Sequence, residues 1–211
     1  MAAPAPLAEV RIFGLILAGG EGRRFGGLDK AGLLLGGITL LERMVGRFSP
    51  QVELLALSAN GDRARFADFV GPVLPDESGE RLGPMAGVMA GLEWMAPMGA
   101  THLATVAVDT PFVPCDLVPN LLMAGEATDG FAVAESQGRV HPTCALWPAR
   151  LREPIRTALA AGERRIGRWA ESQGVARAYF DDRPVDPFLN INDAQDLANA
   201  AALLAAAEPQ P

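Results

Sequence analysis

Lysine is almost missing from this chain: of 18 basic residues one is a lysine, Lys30, and the others are arginines. Basic charge is also outweighed, because 25 acidic residues leave a formal charge of −7. That balance excludes a broad electrostatic footprint on nucleic acid or on an anionic membrane, so an anionic ligand must be met by a local cluster of positive groups. Cysteine is scarce too. Cys115 and Cys144 have no metal-ligand spacing, and two thiols cannot form a disulfide framework for 211 residues. Both are expected to be reduced core thiols of a cytoplasmic protein. No apolar run reaches membrane-spanning length, and the Ala-rich stretch from Ala198 to Ala207 is short and contains Asn199. The opening MAAPAPLAEV has neither a basic segment nor a continuous apolar one, so no secretory signal is expected.

What remains is a globular composition, 49% hydrophobic and 20% charged, in which β-prone runs alternate with segments of helical period. Strands are expected at Val10 to Ala18, Val52 to Ser58, Leu103 to Val108, Phe131 to Glu135, Thr143 to Trp147 and Val175 to Phe180. Helices are expected at Thr39 to Phe48, Gly83 to Met95, near Pro148–Ala161 and Arg164–Ser172, and from Ala194 to Ala206. Such alternation implies an α/β protein with a mostly parallel central sheet covered on both faces. With no long linker and no repeat, a single domain is expected over residues 1–211, with loose tails at about 1–9 and 208–211. Ligands of such sheets bind beyond the carboxyl ends of the strands, at a topological switch point.

The first strand runs directly into Leu17-Ala18-Gly19-Gly20-Glu-Gly22-Arg23-Arg24-Phe25-Gly26-Gly27-Leu28-Asp29-Lys30. Glycines here leave no Cβ to block a ligand, and successive amides can surround phosphate oxygens. Arg23 and Arg24 add bidentate donors, and Lys30 adds a compact charge. The dinucleotide pattern G-x-G-x-x-G would need glycine where Phe25 stands, and the P-loop pattern would need lysine where Leu28 follows Gly27, so both lose support. That the one lysine falls here points to a site needing an ammonium. A flexible surface turn remains the plain alternative.

Asp109, in Val108-Asp109-Thr-Pro-Phe-Val-Pro, ends the third expected strand. A carboxylate there is placed either to hold Mg²⁺ against phosphate oxygens or to cap a helix.

The loop and its strand resemble the signature of nucleotidyltransferases, specifically of the molybdenum cofactor guanylyltransferases, although those usually have Met in place of Phe25. The resemblance implies a three-layer, Rossmann-like nucleotidyltransferase fold. It implies that Leu17, Ala18, Gly19 and Gly20 lie by the nucleotide, that Arg24 and Lys30 lie by its phosphates, and that Asp109 binds the metal. Val108 replaces the cysteine usual before that aspartate. Asn60, Asp76 in Leu74-Pro75-Asp76-Glu77, and Gly83-Pro-Met-Ala-Gly87 match further stretches near the nucleotide. His141-Pro142-Thr143-Cys144, Arg164 with Arg165, and Phe188-Leu189-Asn190-Ile191-Asn192 match in the same order, and the resemblance runs from about residue 11 to 197. It implies that His141, Arg164, Arg165 and Asn190 face the acceptor. By local sequence alone His141 is a solvated turn residue, and Arg164 and Arg165 an ordinary charged helix face. Asn192 is expected to cap the terminal helix, with Gln195 as its capping-box partner.

The reaction implied is transfer of GMP from GTP, with Mg²⁺, to the phosphate of the molybdenum-pterin cofactor, releasing pyrophosphate. Proteins that deliver or receive that cofactor are the candidate partners. The alternatives are a cytidylyltransferase acting on the same pterin, a sugar-phosphate nucleotidyltransferase, and a non-catalytic adaptor that binds nucleotide or cofactor.

Overall fold

The computed structural model describes residues 10–19, 29–75 and 83–207. Its strands are β1 (Ile12–Leu17), a small hairpin of β2 (Leu34–Leu35) and β3 (Ile38–Thr39), β4 (Leu55–Ser58), β5 (Val73–Leu74), β6 (His102–Ala107), β7 (Ala132–Ser136), β8 (Arg139–Pro148) and β9 (Ala176–Tyr179). Its helices are α1 (Leu40–Phe48), α2 (Pro84–Met95), α3 (Leu117–Ala124), α4 (Arg152–Ala160), α5 (Ile166–Ser172) and α6 (Ala194–Ala207). Among the described residues the main sheet runs β5-β4-β1-β6-β8-β7-β9, and only β8 lies antiparallel to its neighbours. The mostly parallel α/β architecture expected from the alternation is the one observed.

Successive strand residues point to opposite faces, and each face is covered by helices. On one side Ile16, Val106 and Leu146 meet α1, α3 and α6 through Met44, Leu121 and Ala200. On the other, Leu15, Leu103 and Trp147 meet α2, α4 and α5 through Leu92, Ile155 and Trp169. In α1 the buried residues Leu40, Met44 and Phe48 recur every fourth position, a single apolar stripe. Thr39 starts that helix with a reciprocal cap: its Oγ1 accepts from the Glu42 amide at 3.1 Å, and Glu42 Oε2 accepts from the Thr39 amide at 2.7 Å. Such a cap contributes about 1 kcal/mol. α2 approaches the sheet closely because Gly87 and Gly91 face it. A Cβ at Gly87 would lie 2.6 Å from Ser58 Oγ and 2.7 Å from Leu17 Cδ2.

Several local expectations are corrected. α3 was not anticipated, because Pro119 reads as a breaker. It is the third helical residue, where an amide has no intrahelical partner to lose. The strand expected at Thr143 to Trp147 begins at Arg139 instead and passes through Pro142. The register shifts between Val133↔Ala145 and Ala134↔His141, so residues 142–144 face no β7 partner and the proline withholds no ladder bond. The chain after Pro148 first makes a 3₁₀ turn, and α4 starts at Arg152. Asn192 does not cap α6. Asp193 does, its Oδ1 accepting from the amides of Gln195 and Asp196, each at 3.0 Å. Asp and Asn rank alike as caps, and the aspartate stands one residue nearer the first turn. Cys144 is buried as expected, but Cys115 is exposed.

Candidate active site

β1 lies between β4 and β6, so the chain leaves it toward one side first and returns on the other. Such a switch point opens a crevice beyond the carboxyl ends of the strands. Three segments leave into that crevice: Ala18 and Gly19 after β1, Ala59 and Asn60 after β4, and Val108 and Asp109 after β6. Gly20, Arg24 and Asp76 of the expected nucleotide site lie outside the described residues.

Lys30 opens a 3₁₀ turn, Lys30–Gly32, whose start is capped by Asp29 through Oδ1 to the Ala31 amide at 3.1 Å. The other Asp29 oxygen pairs with Arg65, which anchors this turn to the segment after β4. So oriented, Lys30 Nζ donates to Asp109 Oδ2 at 2.7 Å and to Asn192 Oδ1 at 3.1 Å. The pair is largely withdrawn from solvent, with side-chain exposures of 13% and 18%. Asp109 is therefore not a helix cap: its carboxylate takes the lysine, and α3 begins only at Leu117. The turn beyond it is closed by Thr110, whose Oγ1 donates to the Ala107 carbonyl at 2.6 Å. Behind it the Cys144 thiol is pushed up to about 12 by burial, which makes it an inert core group.

A cavity of about 350 Å³ opens at this pair, and Leu17, Gly19, Lys30, Asn60, Asp109 and Asn190 line it. Five residues expected beside the nucleotide thus share one cavity wall with Asn190. Ala18 does not reach it, being buried in the core with its amide donated to the Ser58 carbonyl at 2.9 Å. His141, Arg164 and Arg165 are not on the wall either. His141 Nε2 is 2.9 Å from Ser136 Oγ, and its ring stacks on Phe188 at 4.7 Å. Arg164 Nη1 is used on the carbonyls of Leu159 and Glu163, at 2.9 and 2.8 Å. Glu163 turns back to accept from the amides of Arg164 and Arg165, each at 2.8 Å, and these bonds hold its carboxyl below the usual range. This turn abuts the start of α2, where a Cβ at Gly83 would be 3.8 Å from the Arg164 carbonyl. Gly83 and Pro84 of that start line the cavity, while the turn itself does not.

Sequence reasoning missed Ser58 and Thr143, which also line the cavity, and the reach of Asn192 to Lys30. Ser58 ends a strand two residues before Asn60, and that position could have revealed it. Thr143 is freed from the β7 ladder by the register shift, for which the sequence has no signal beyond Pro142. A second groove, of about 410 Å³, lies between α1 and residues 65–70, with Leu41, Val45, Phe66 and Phe69 in its walls. It holds neither Lys30 nor Asp109.

A family model described as a MobA-like NTP transferase domain matches residues 14–177. The chain belongs to the MobA-like NTP transferase family. Among its curated relatives, the molybdenum cofactor guanylyltransferase of Cereibacter sphaeroides strain ATCC 17023 is 56% identical over 195 residues, covering 92% of this chain and 98% of that protein. The protein of the same name from Mesorhizobium japonicum is 46% identical, covering 92% and 96%. Among solved structures, the molybdopterin-guanine dinucleotide biosynthesis protein A of Archaeoglobus fulgidus superposes with a TM-score of 0.73 at 22% identity, covering 92% of this chain and 99% of that one. That likeness concerns the fold, as does a 4-diphosphocytidyl-2C-methyl-D-erythritol synthase from Anaerococcus prevotii, with a TM-score of 0.70 at 14% identity over 93% and 96% of the two chains. The MobA-like fold thus carries a cavity in which a lysine, a carboxylate and an amide converge, a set able to hold phosphate oxygens and a divalent ion together.

Proposed function

We propose that this chain is a molybdenum cofactor guanylyltransferase, which transfers GMP from GTP to the terminal phosphate of the molybdenum-pterin cofactor. A phosphate oxygen of the acceptor attacks the α-phosphorus, the bond to the β-phosphate oxygen breaks, and pyrophosphate leaves. The observation that carries the reading is the Lys30–Asp109 pair in the switch-point cavity of a chain 56% identical to a protein of that name. The attacking phosphate is already a nucleophile, so positioning and charge stabilisation supply the catalysis.

Lys30 and Arg24 hold phosphate oxygens in this reading. An ammonium has three donors, so Lys30 can give one to a phosphate and keep Asn192. Leu17, Gly19, Gly20, Asn60 and Asp76 make the nucleotide side of the site and Asn190 the acceptor side, while Ala18 supports the nucleotide side from the core and His141, Arg164 and Arg165 extend the acceptor side beyond the cavity wall. Among the described residues no three His, Cys, Asp or Glu side chains cluster as a metal cage. The single carboxylate of Asp109 fits Mg²⁺, which takes one or two carboxylates and completes its shell with phosphates and water. Bound there, Mg²⁺ neutralises charge that develops on the phosphates. The chain works as one domain, in the cytoplasm; among the described residues no helix is long and apolar enough to cross a membrane.

The test is product analysis with the purified protein, molybdenum-loaded pterin cofactor, Mg²⁺ and each nucleoside triphosphate in turn. GTP is expected to yield the guanine dinucleotide and pyrophosphate, and chelation of the metal to stop both. Preference for CTP would make the chain a cytidylyltransferase, turnover only with sugar phosphates would move it to that class, and no pyrophosphate from any mixture would leave an adaptor.

A further inference from the structure

Between β9 and α6, residues 180–193 form neither helix nor strand, yet this segment carries Asn190 into the cavity and Asn192 to Lys30. Its shape therefore depends on individual anchors. Midway along it Asp186 Oδ1 accepts from Ser136 Oγ at 2.8 Å and from the Phe188 amide at 3.0 Å. Near its end the Ile191 amide reaches the Asp109 carbonyl at 2.9 Å, and the Asn192 amide reaches Asp196 Oδ2 at 2.8 Å. Asn190 lies between these two sets of ties.

Ser136 is the hub of the first set. It sits at the end of β7, 2% exposed, with Asp186 on one side and His141 Nε2 at 2.9 Å on the other. A hydroxyl has one proton, and Asp186 Oδ1 already acts as an acceptor, so that proton goes to Asp186. Ser136 Oγ then accepts from His141, whose proton is on Nε2. The order is imidazole to hydroxyl to carboxylate. A serine nucleophile needs its proton directed at the imidazole, so this trio is not a hydrolytic one. The imidazole is held in turn by Phe188, which is 2% exposed and meets Phe180 edge-on at 5.2 Å. The segment is thus clasped through a polar chain and an aromatic stack that share the same strand end.

We infer that Ser136 and Asp186 are positioning residues of the transferase site, holding the 186–192 segment so that Asn190 faces the acceptor. This rests on the proposed transfer reaction. Neither residue touches the reacting phosphates. Their effect passes through the backbone between Asp186 and Asn190.

The experiment compares Ser136→Ala, Asp186→Ala and Asp186→Asn with wild type, by amide hydrogen exchange and by steady-state kinetics. Both alanine variants are expected to speed exchange at the amides of residues 188–191 and to lower kcat/KM for the pterin acceptor by about tenfold to a hundredfold, the scale of a small misplacement. KM for the nucleoside triphosphate is expected to stay within about twofold, because Lys30 keeps its bond to Asp109. Asp186→Asn retains an acceptor oxygen and is expected to restore most of the loss. In an Asn190→Ala background, Ser136→Ala is expected to add little, since the group it positions is gone; general destabilisation would act equally in both backgrounds. Unchanged exchange, unchanged acceptor kinetics or strict additivity with Asn190→Ala would each overturn the inference. Should the wild type make no dinucleotide, the transferase reading falls, while the exchange rates still decide whether Ser136 holds the segment.

Discussion

The backbone amide of Ile191 donates to the carbonyl oxygen of Asp109 across 2.9 Å, while the next side chain, Asn192, and the carboxylate of Asp109 itself both reach Lys30. Three segments far apart in sequence thus close a ring at the mouth of the cavity. Lys30 and Asp109 remain joined to each other directly, whatever the third segment does.

Asp109→Asn keeps the size of the side chain and removes the charge that faces Lys30. Turnover is expected to fall by about two orders of magnitude, the effect of losing one preorganised charge-stabilising group. Pyrophosphate release measures it, and near-normal release would take Asp109 out of the mechanism.

Lys30→Arg conserves charge without conserving shape. The ammonium satisfies two acceptors, 2.7 and 3.1 Å away, from one atom, whereas a guanidinium spreads its donors over a planar fork. We expect turnover to drop by about a hundredfold, as for a lost oxyanion donor. Rescue by arginine to within a few-fold of wild type would show that the site asks only for positive charge.

Gly87→Ala tests how closely α2 must approach the site. The added methyl would stand 2.6 Å from Ser58 Oγ and 2.7 Å from Leu17 Cδ2, both side chains of the cavity wall. Overpacking of this kind destabilises by about 1–3 kcal/mol. Urea midpoints should fall, and KM for the nucleotide should rise; a variant as stable and as tight-binding as wild type would mean that the wall yields freely.

The His141 ring titrates below its ordinary value of 6.5, chiefly because burial disfavours the cation; Arg139 acts in the same direction, and Asp186 and Glu135 oppose it. As pH falls through 6.5 the unfolded chain takes up the proton before the folded one does. Stability from this group is therefore full above 6.5, declines below it, and stops declining beneath the folded value. Denaturant midpoints at pH 7.5 and 5.5 should show a smaller drop in His141→Gln than in wild type. Equal drops would assign the acid sensitivity to other groups.

Much of this could be read from the chain alone. Continuous apolar β-prone runs and period-3.6 apolar patterns are local, so strands such as β1 and β6 and helices such as α1 and α6 were legible within a residue or two. The two-residue strands β2, β3 and β5 were not, since a pair of residues has no period. α3 was hidden by Pro119, and the long β8 by Pro142, because a proline's meaning depends on whether its missing amide had a partner. Among candidate site residues, Lys30 and Asp109 were visible as one rare residue type in a glycine loop and one carboxylate at a strand end.

By itself the sequence determined the alternating architecture, the glycine-rich composition of the stretch after β1, and a lysine and an aspartate near the ends of segments that a parallel sheet must gather on one edge. Those features are chemical and local, and neighbouring residues suffice to specify them. Tertiary structure alone decided that Lys30 would bond Asp109 and Asn192, that Thr143 would be released into the cavity, and that Ser136 would clasp Asp186 and His141. Each of these unites residues from separate elements, and their meeting depends on strand order and register, which no short stretch of chain encodes.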